Sequence, residues 1–237
     1  MKNLLNEDQE ILHKESGILS ATLQRRSFLQ YAGAGAAGIA LLAVGCKKDN
    51  NDSSNNAGVN LGSGDVGILN YAYALEQLEA AFYTAVIQTP YSGISATELA
   101  LLTDIRDHEV AHREFFKRAL GTAAIPGLTV DFSKINFSVR QDVLATAKAF
   151  EDLGVSAYNG AGKLIKSVDY LVVAGKIVSV EARHAALIRD LIENGTFADS
   201  TVIDANGLDA ARAPKDVLAI AQTYIKTTIN GSNLPTS

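Results

Sequence analysis

Residues 107–116 read DHEVAHREFF and residues 180–191 read VEARHAALIRDL. Each stretch holds a Glu followed three positions later by a His, Glu109 with His112 and Glu181 with His184. Residues three apart lie on one side of an α-helix, so each pair can aim both side chains at a single point. With 11 Glu and 4 His in 237 residues, chance supplies about 0.2 such pairs. An exposed ion pair would account for one of them alone. Two pairs, each in the middle of an apolar-periodic segment, point instead to a metal.

Working outward, the spacing predicts four long helices. From Asp65 to Thr89 apolar residues recur at Ile68, Leu69, Ala72, Leu75, Leu78, Phe82, Tyr83 and Val86, and the period ends before Pro90. Ser95-Ala96-Thr97-Glu98 is a capping box that opens a second helix, which Gly121 closes. Residues 122–137 contain Pro126 and Gly127 and no clear period, so they form a long connection. Ser138 is expected to cap a third helix running to about Gly160, and Ser167 a fourth running to Asn194-Gly195. Each spans about 35–40 Å. The expected fold is all-α, a four-helix bundle over 65–195 with a long crossover between helices two and three. The extension 196–237 adds a short helix near Pro214 to Ile225 that packs on the bundle.

The other two helices supply carboxylates from apolar surroundings. LEQLEAAFY (75–83) lies over FEDLGVSAY (150–158) without a gap: an apolar residue precedes Glu76 and Glu151, Leu follows two later, and Tyr83 and Tyr158 follow seven later. Helices one and two therefore form one repeat, and three and four the other. Four carboxylates cannot sit unpaired in a dry core. Against two neutral imidazoles and four carboxylates, two divalent cations come close to balancing the charge. Glu79 also lies on the apolar arc of helix one and is an alternative or additional ligand to Glu76; the repeat favours Glu76, because Glu79 aligns with Gly154. Tyr83 and Tyr158 lie one to two turns from the metals, where a phenol can hydrogen-bond a ligand carboxylate, supply an electron, or simply fill the core. His108 faces about 100° away from Glu109, a solvated or outer position. Asp107 and Asp152 are either outer partners of the imidazoles or surface charges.

Composition narrows the chemistry. A single Cys among 237 residues excludes a disulfide framework and thiolate clusters. A net charge of −5 and a pI near 5.4 give no basic excess for phosphates, so no nucleic-acid partner is expected. The first 45 residues read as an export signal. Arg25-Arg26-Ser27-Phe28-Leu29 precedes an uncharged Gly/Ala-rich run ending at Gly45, about fifteen residues long and too short for an ordinary membrane span. The pattern resembles twin-arginine signals, which makes the twin-arginine translocase an expected partner through Arg25 and Arg26. LAVGC at 42–46 resembles a lipobox, with Cys46 as the lipidated residue and membrane anchor; the other reading is cleavage nearby with an incidental thiol. Residues 46–64, rich in Asn, Ser, Gly and Asp, read as a flexible tether.

LEQLEAAFY, DHEVAHREFF, FEDLGVSAYNGA at 150–161 and VEARHAALIRDL together resemble the ferritin-like superfamily, and within it exported bacterial ferritin-like domain proteins related to plant desiccation-associated proteins. The resemblance implies a dinuclear centre of two Fe or two Mn ions held by Glu76, Glu109, His112, Glu151, Glu181 and His184, with Glu109 and Glu181 bridging and Glu76 and Glu151 terminal. It implies a di-metal oxidoreductase of ferroxidase, peroxidase or catalase type that handles peroxide or dioxygen in the periplasm or cell envelope. A non-catalytic envelope protein protective under desiccation or oxidative stress, with a structural metal site, is the alternative reading, and a manganese catalase a further one. A homo-oligomer is compatible with all three. Iron storage in a closed cage fits poorly with a lipidated N-terminus.

Overall fold

The computed structural model describes residues 58–236. The expected signal segment 1–45, with Arg25 and Arg26, and the expected lipidation site Cys46 lie outside these residues. Four helices, α1 (Gly64–Gln88), α2 (Ala96–Leu120), α3 (Arg140–Gly162) and α4 (Val168–Ile192), form the bundle, and a short α5 (Pro214–Ala221) follows. α1 packs chiefly on α2, and α3 on α4, so the two halves of the sequence repeat are two helical hairpins. Among the described residues no helix is long and apolar enough to cross a membrane.

Local chemistry sets most of the boundaries. Ser95 caps α2, its Oγ accepting from the Glu98 amide at 3.1 Å, and Ser167 caps α4 by accepting from the Tyr170 amide at 3.4 Å. Gly121 ends α2 with φ of 54°, a left-handed conformation that suits glycine. The expected cap at Ser138 is corrected. Its amide donates to Asn136 Oδ1 at 3.1 Å in a side-chain turn, Val139 stands at the cap without a side-chain bond, and the helix begins at Arg140.

α1 is the central helix, buried over most of its length. Two buried polar side chains on it, Asn70 and Gln77, hold the crossover. Asn70 Oδ1 accepts from the Ile125 amide at 2.9 Å and its Nδ2 donates to the Ala123 carbonyl at 2.9 Å; Gln77 Oε1 accepts from the Leu128 amide at 2.8 Å. Seven residues apart, they lie on one helix face, so the α2–α3 connection is laid along α1 by hydrogen bonds rather than by an apolar period. Phe82, Phe132, Phe137 and Phe150 pack edge to face or tilted beneath it, and Tyr224 closes the cluster against Phe150.

α5 packs on α3 and α1, and residues 59–61, read from the sequence as part of a tether, are structured. Val59–Asn60 (β1) pairs in parallel with Ile229–Asn230 (β2), and Leu61 is fully buried. At the opposite hairpin, Asp65 accepts from the Lys166 and Ser167 amides, both at 2.8 Å, tying the start of α1 to the α3–α4 turn.

Candidate metal centre

Each of the four bundle helices delivers its carboxylate from the middle of its length. Glu76 from α1, Glu109 from α2, Glu151 from α3 and Glu181 from α4 are all fully buried, and His184 is 4% exposed. His112 Nδ1 lies 2.8 Å from Glu181 Oε1, 3.4 Å from Glu76 Oε2 and 3.7 Å from Glu109 Oε2. His184 Nδ1 lies 2.7 Å from Glu109 Oε1, 3.6 Å from Glu151 Oε2 and 3.8 Å from Glu181 Oε2. Two overlapping groups result, Glu76–Glu109–His112–Glu181 and Glu109–Glu151–Glu181–His184, each offering ligand atoms within 4.8 Å of one another. All six residues in the expected ligand set are thus brought together, and Glu109 and Glu181 belong to both groups.

The unsatisfied atoms fit bound metal ions. Glu109 and Glu181 keep both oxygens without a hydrogen-bond donor, Glu76 and Glu151 keep Oε2 alone, and His112 and His184 keep Nδ1. Polar atoms buried this deeply are ordinarily paired. The remaining oxygens of Glu76 and Glu151 are taken by tyrosines. Tyr83 Oη donates to Glu151 Oε1 at 2.5 Å, and Tyr158 Oη donates to Glu76 Oε1. The pairing crosses the repeat, so the tyrosine on α1 serves the carboxylate on α3 and the reverse. Two carboxylates with two open oxygens suit bridging, and two with one suit terminal ligation. A donor set of carboxylate oxygens and imidazoles suits metals that do not seek thiolate.

Electrostatics carry the same strain. Burial works against a charged His112, but Glu109, Glu181 and Glu76 outweigh it and push the imidazole up to about 12; the same balance pushes His184 up to about 10. Burial also opposes the charge on Glu109, yet the two imidazoles pull it down to about 2. Burial pushes Glu76 up to about 8, and burial with the neighbouring carboxylates holds Glu79 and Glu151 well above the usual range.

The surrounding residues divide. His108 is exposed, and its Nδ1 lies 2.9 Å from His184 Nε2, the ring nitrogen facing away from the carboxylates. This is the outer position expected for it, now with a partner. Asp107 and Asp152 do not reach an imidazole: Asp107 pairs with Arg106, and Asp152 makes a two-pronged pair with the buried Arg189 at 2.6 and 2.9 Å. Glu79 is 4% exposed and stands outside both four-residue groups. Of the roles open to Tyr83 and Tyr158, the hydrogen bond to a site carboxylate is the one seen; the sequence did not show that each phenol serves the carboxylate of the other repeat.

A family model described as the ferritin-like domain matches residues 64–194, more than half of the chain. The chain belongs to the ferritin-like family. No curated protein matches it. The matched ferritin-like segment begins with α1 and ends just past α4, so it contains both groups of the centre and excludes α5 and the tail.

Proposed function

We propose that this ferritin-like protein is an exported dinuclear iron or manganese protein that handles peroxide or dioxygen in the cell envelope. The observation that carries the reading is the set of eight buried, undonated ligand atoms on Glu76, Glu109, His112, Glu151, Glu181 and His184. Glu109 and Glu181 would each hold both ions, Glu76 with His112 one of them, and Glu151 with His184 the other. A pair of such ions supplies paired-electron chemistry with small oxidants. Tyr83 and Tyr158 fix the terminal carboxylates by holding one oxygen of each. Beside the Tyr158–Glu76 pair lies an apolar pocket lined by Leu75, Phe116, Tyr158 and Val173. Export through the twin-arginine route and anchoring by a lipid on Cys46 complete the proposal.

The test is elemental analysis of protein exported by its native host, followed by peroxide and dioxygen assays of wild type, Glu109→Ala and His184→Ala. Stoichiometric Fe or Mn lost in both variants, with loss of turnover, is the expected result. Dioxygen release from peroxide by the Mn form alone would identify a catalase; bound metal without turnover would favour the structural, protective reading. Native protein without Fe or Mn would overturn the proposal. Lipidation is read from the mass of the mature chain, and dependence on the translocase from retention of Arg25→Lys/Arg26→Lys in the cytoplasm.

A further inference from the structure

The repeat that places Glu76 opposite Glu151 breaks three residues later, where Glu79 faces Gly154. Gly154 is buried in the middle of α3 and has no unusual backbone angle, so its conformation does not call for glycine. Space does. A methyl group there would come within 3.0 Å of Glu79 Oε1 and 3.8 Å of Glu181 Oε2. The Glu79 carboxylate therefore reaches across from α1 into the place of the missing side chain, next to one of the two carboxylates shared by both metal groups.

Glu79 is 4% exposed and stands within the field of four other carboxylates, Glu109, Glu181, Glu151 and Glu76. A carboxylate so placed stays ionised only where a positive charge meets it. The positive charge that the site is built to receive is metal. Each four-residue group offers four residues as donors, whereas iron and manganese with oxygen and nitrogen ligands take up to six. Each group therefore leaves room for a further donor on the α1–α3 side.

We propose that Glu79 is a fifth carboxylate ligand of the dinuclear centre, seated in the space that Gly154 leaves on the facing helix. The proposal rests on the dinuclear reading and adds to it an inequality between the ions, since α3 has no counterpart to Glu79. It also gives the glycine a purpose: any side chain at 154 would press the carboxylate away.

The test uses Co(II) as a spectroscopic stand-in, titrated into the metal-free protein and followed by calorimetry and visible absorption. Wild type is expected to take up two ions. Glu79→Gln, nearly isosteric, is expected to bind at least one ion about tenfold more weakly or worse and to change the Co(II) ligand-field bands, because the coordination itself changes. Gly154→Ala is expected to shift the same bands with Glu79 still present. Wild-type affinity and bands in Glu79→Gln would overturn the proposal and leave the dinuclear reading intact. Weaker binding with unchanged bands would also overturn it, showing a nearby charge rather than a ligand. Should Glu79→Gln fail to fold, Gly154→Ala decides alone, with wild-type bands counting against. Wild type that binds no Co(II), or Glu109→Ala that binds it like wild type, would bring down the dinuclear reading and this proposal with it.

Discussion

Glu76 and Glu151 each have two oxygens with different partners, and the difference is made by a phenol. Tyr158 and Tyr83 occupy one oxygen of each carboxylate and leave the other facing the centre. Removing the phenol frees the carboxylate to rotate, which weakens ligation without emptying the core. Tyr83→Phe and Tyr158→Phe are each expected to bind metal about 10–100-fold more weakly while keeping the helical circular dichroism of wild type; isothermal titration gives the affinity. His108 acts one step further out. With His184 Nδ1 toward the carboxylates, Nε2 is the nitrogen left to bond His108 Nδ1, 2.9 Å away. His108→Ala removes the partner that fixes the ring and is expected to lower affinity about tenfold. Because His108 is exposed, the melting temperature of its metal-free form is expected to stay near that of wild type.

At the scale of the helix, caps separate local signals that set structure from those that only resemble them. Ser95→Ala removes an observed bond to the Glu98 amide and is expected to cost about 1 kcal/mol, whereas Ser138→Ala removes no helix cap and is expected to stay within about 0.5 kcal/mol of wild type. Urea unfolding of the metal-free protein measures both. The contrast marks what was legible in the sequence. The four helices, the crossover and the meeting of the two Glu-x-x-His pairs with Glu76 and Glu151 followed from periods of 3.6 and an ungapped repeat. Ser138 misled because Asn136 offers the backbone a competing turn two residues earlier. The pairing of Val59–Asn60 was hidden for a different reason. Val59 and Leu61 have too few apolar neighbours in sequence to read as structure, and they are held by Ile229–Asn230, some 170 residues away along the chain. The Glu79–Gly154 contact likewise joins two helices, so the alignment showed that the pair differs without showing why.

For the whole molecule, the buried centre links folding, protons and metal. In the metal-free protein the imidazoles of His112 and His184 are pushed up to about 12 and about 10, and Glu76 to about 8. All three are raised above their unfolded values, so the folded state holds protons that the unfolded chain releases. The stability this contributes is full below the unfolded values, about 4.5 for Glu and 6.5 for His, and is lost as pH rises through the folded ones. Glu109, pulled down to about 2, has the opposite sign, but only below the ordinary carboxylate range. Metal-free protein is therefore expected to melt at lower temperature as pH rises from about 5 to about 8. Metal binding runs the other way. The ions need deprotonated imidazoles and carboxylates, so loading expels the same protons and tightens with pH. Since a ligand stabilises by RT ln(1 + [L]/Kd), about 2.7 kcal/mol at a hundredfold excess over Kd, the melting-temperature gap between loaded and metal-free protein is expected to widen across that interval. Calorimetry of Mn(II) loading at pH about 7 in buffers of different ionisation enthalpy should register proton release, and a gap that narrows with pH would mean that His112, His184 and Glu76 keep their protons with metal present.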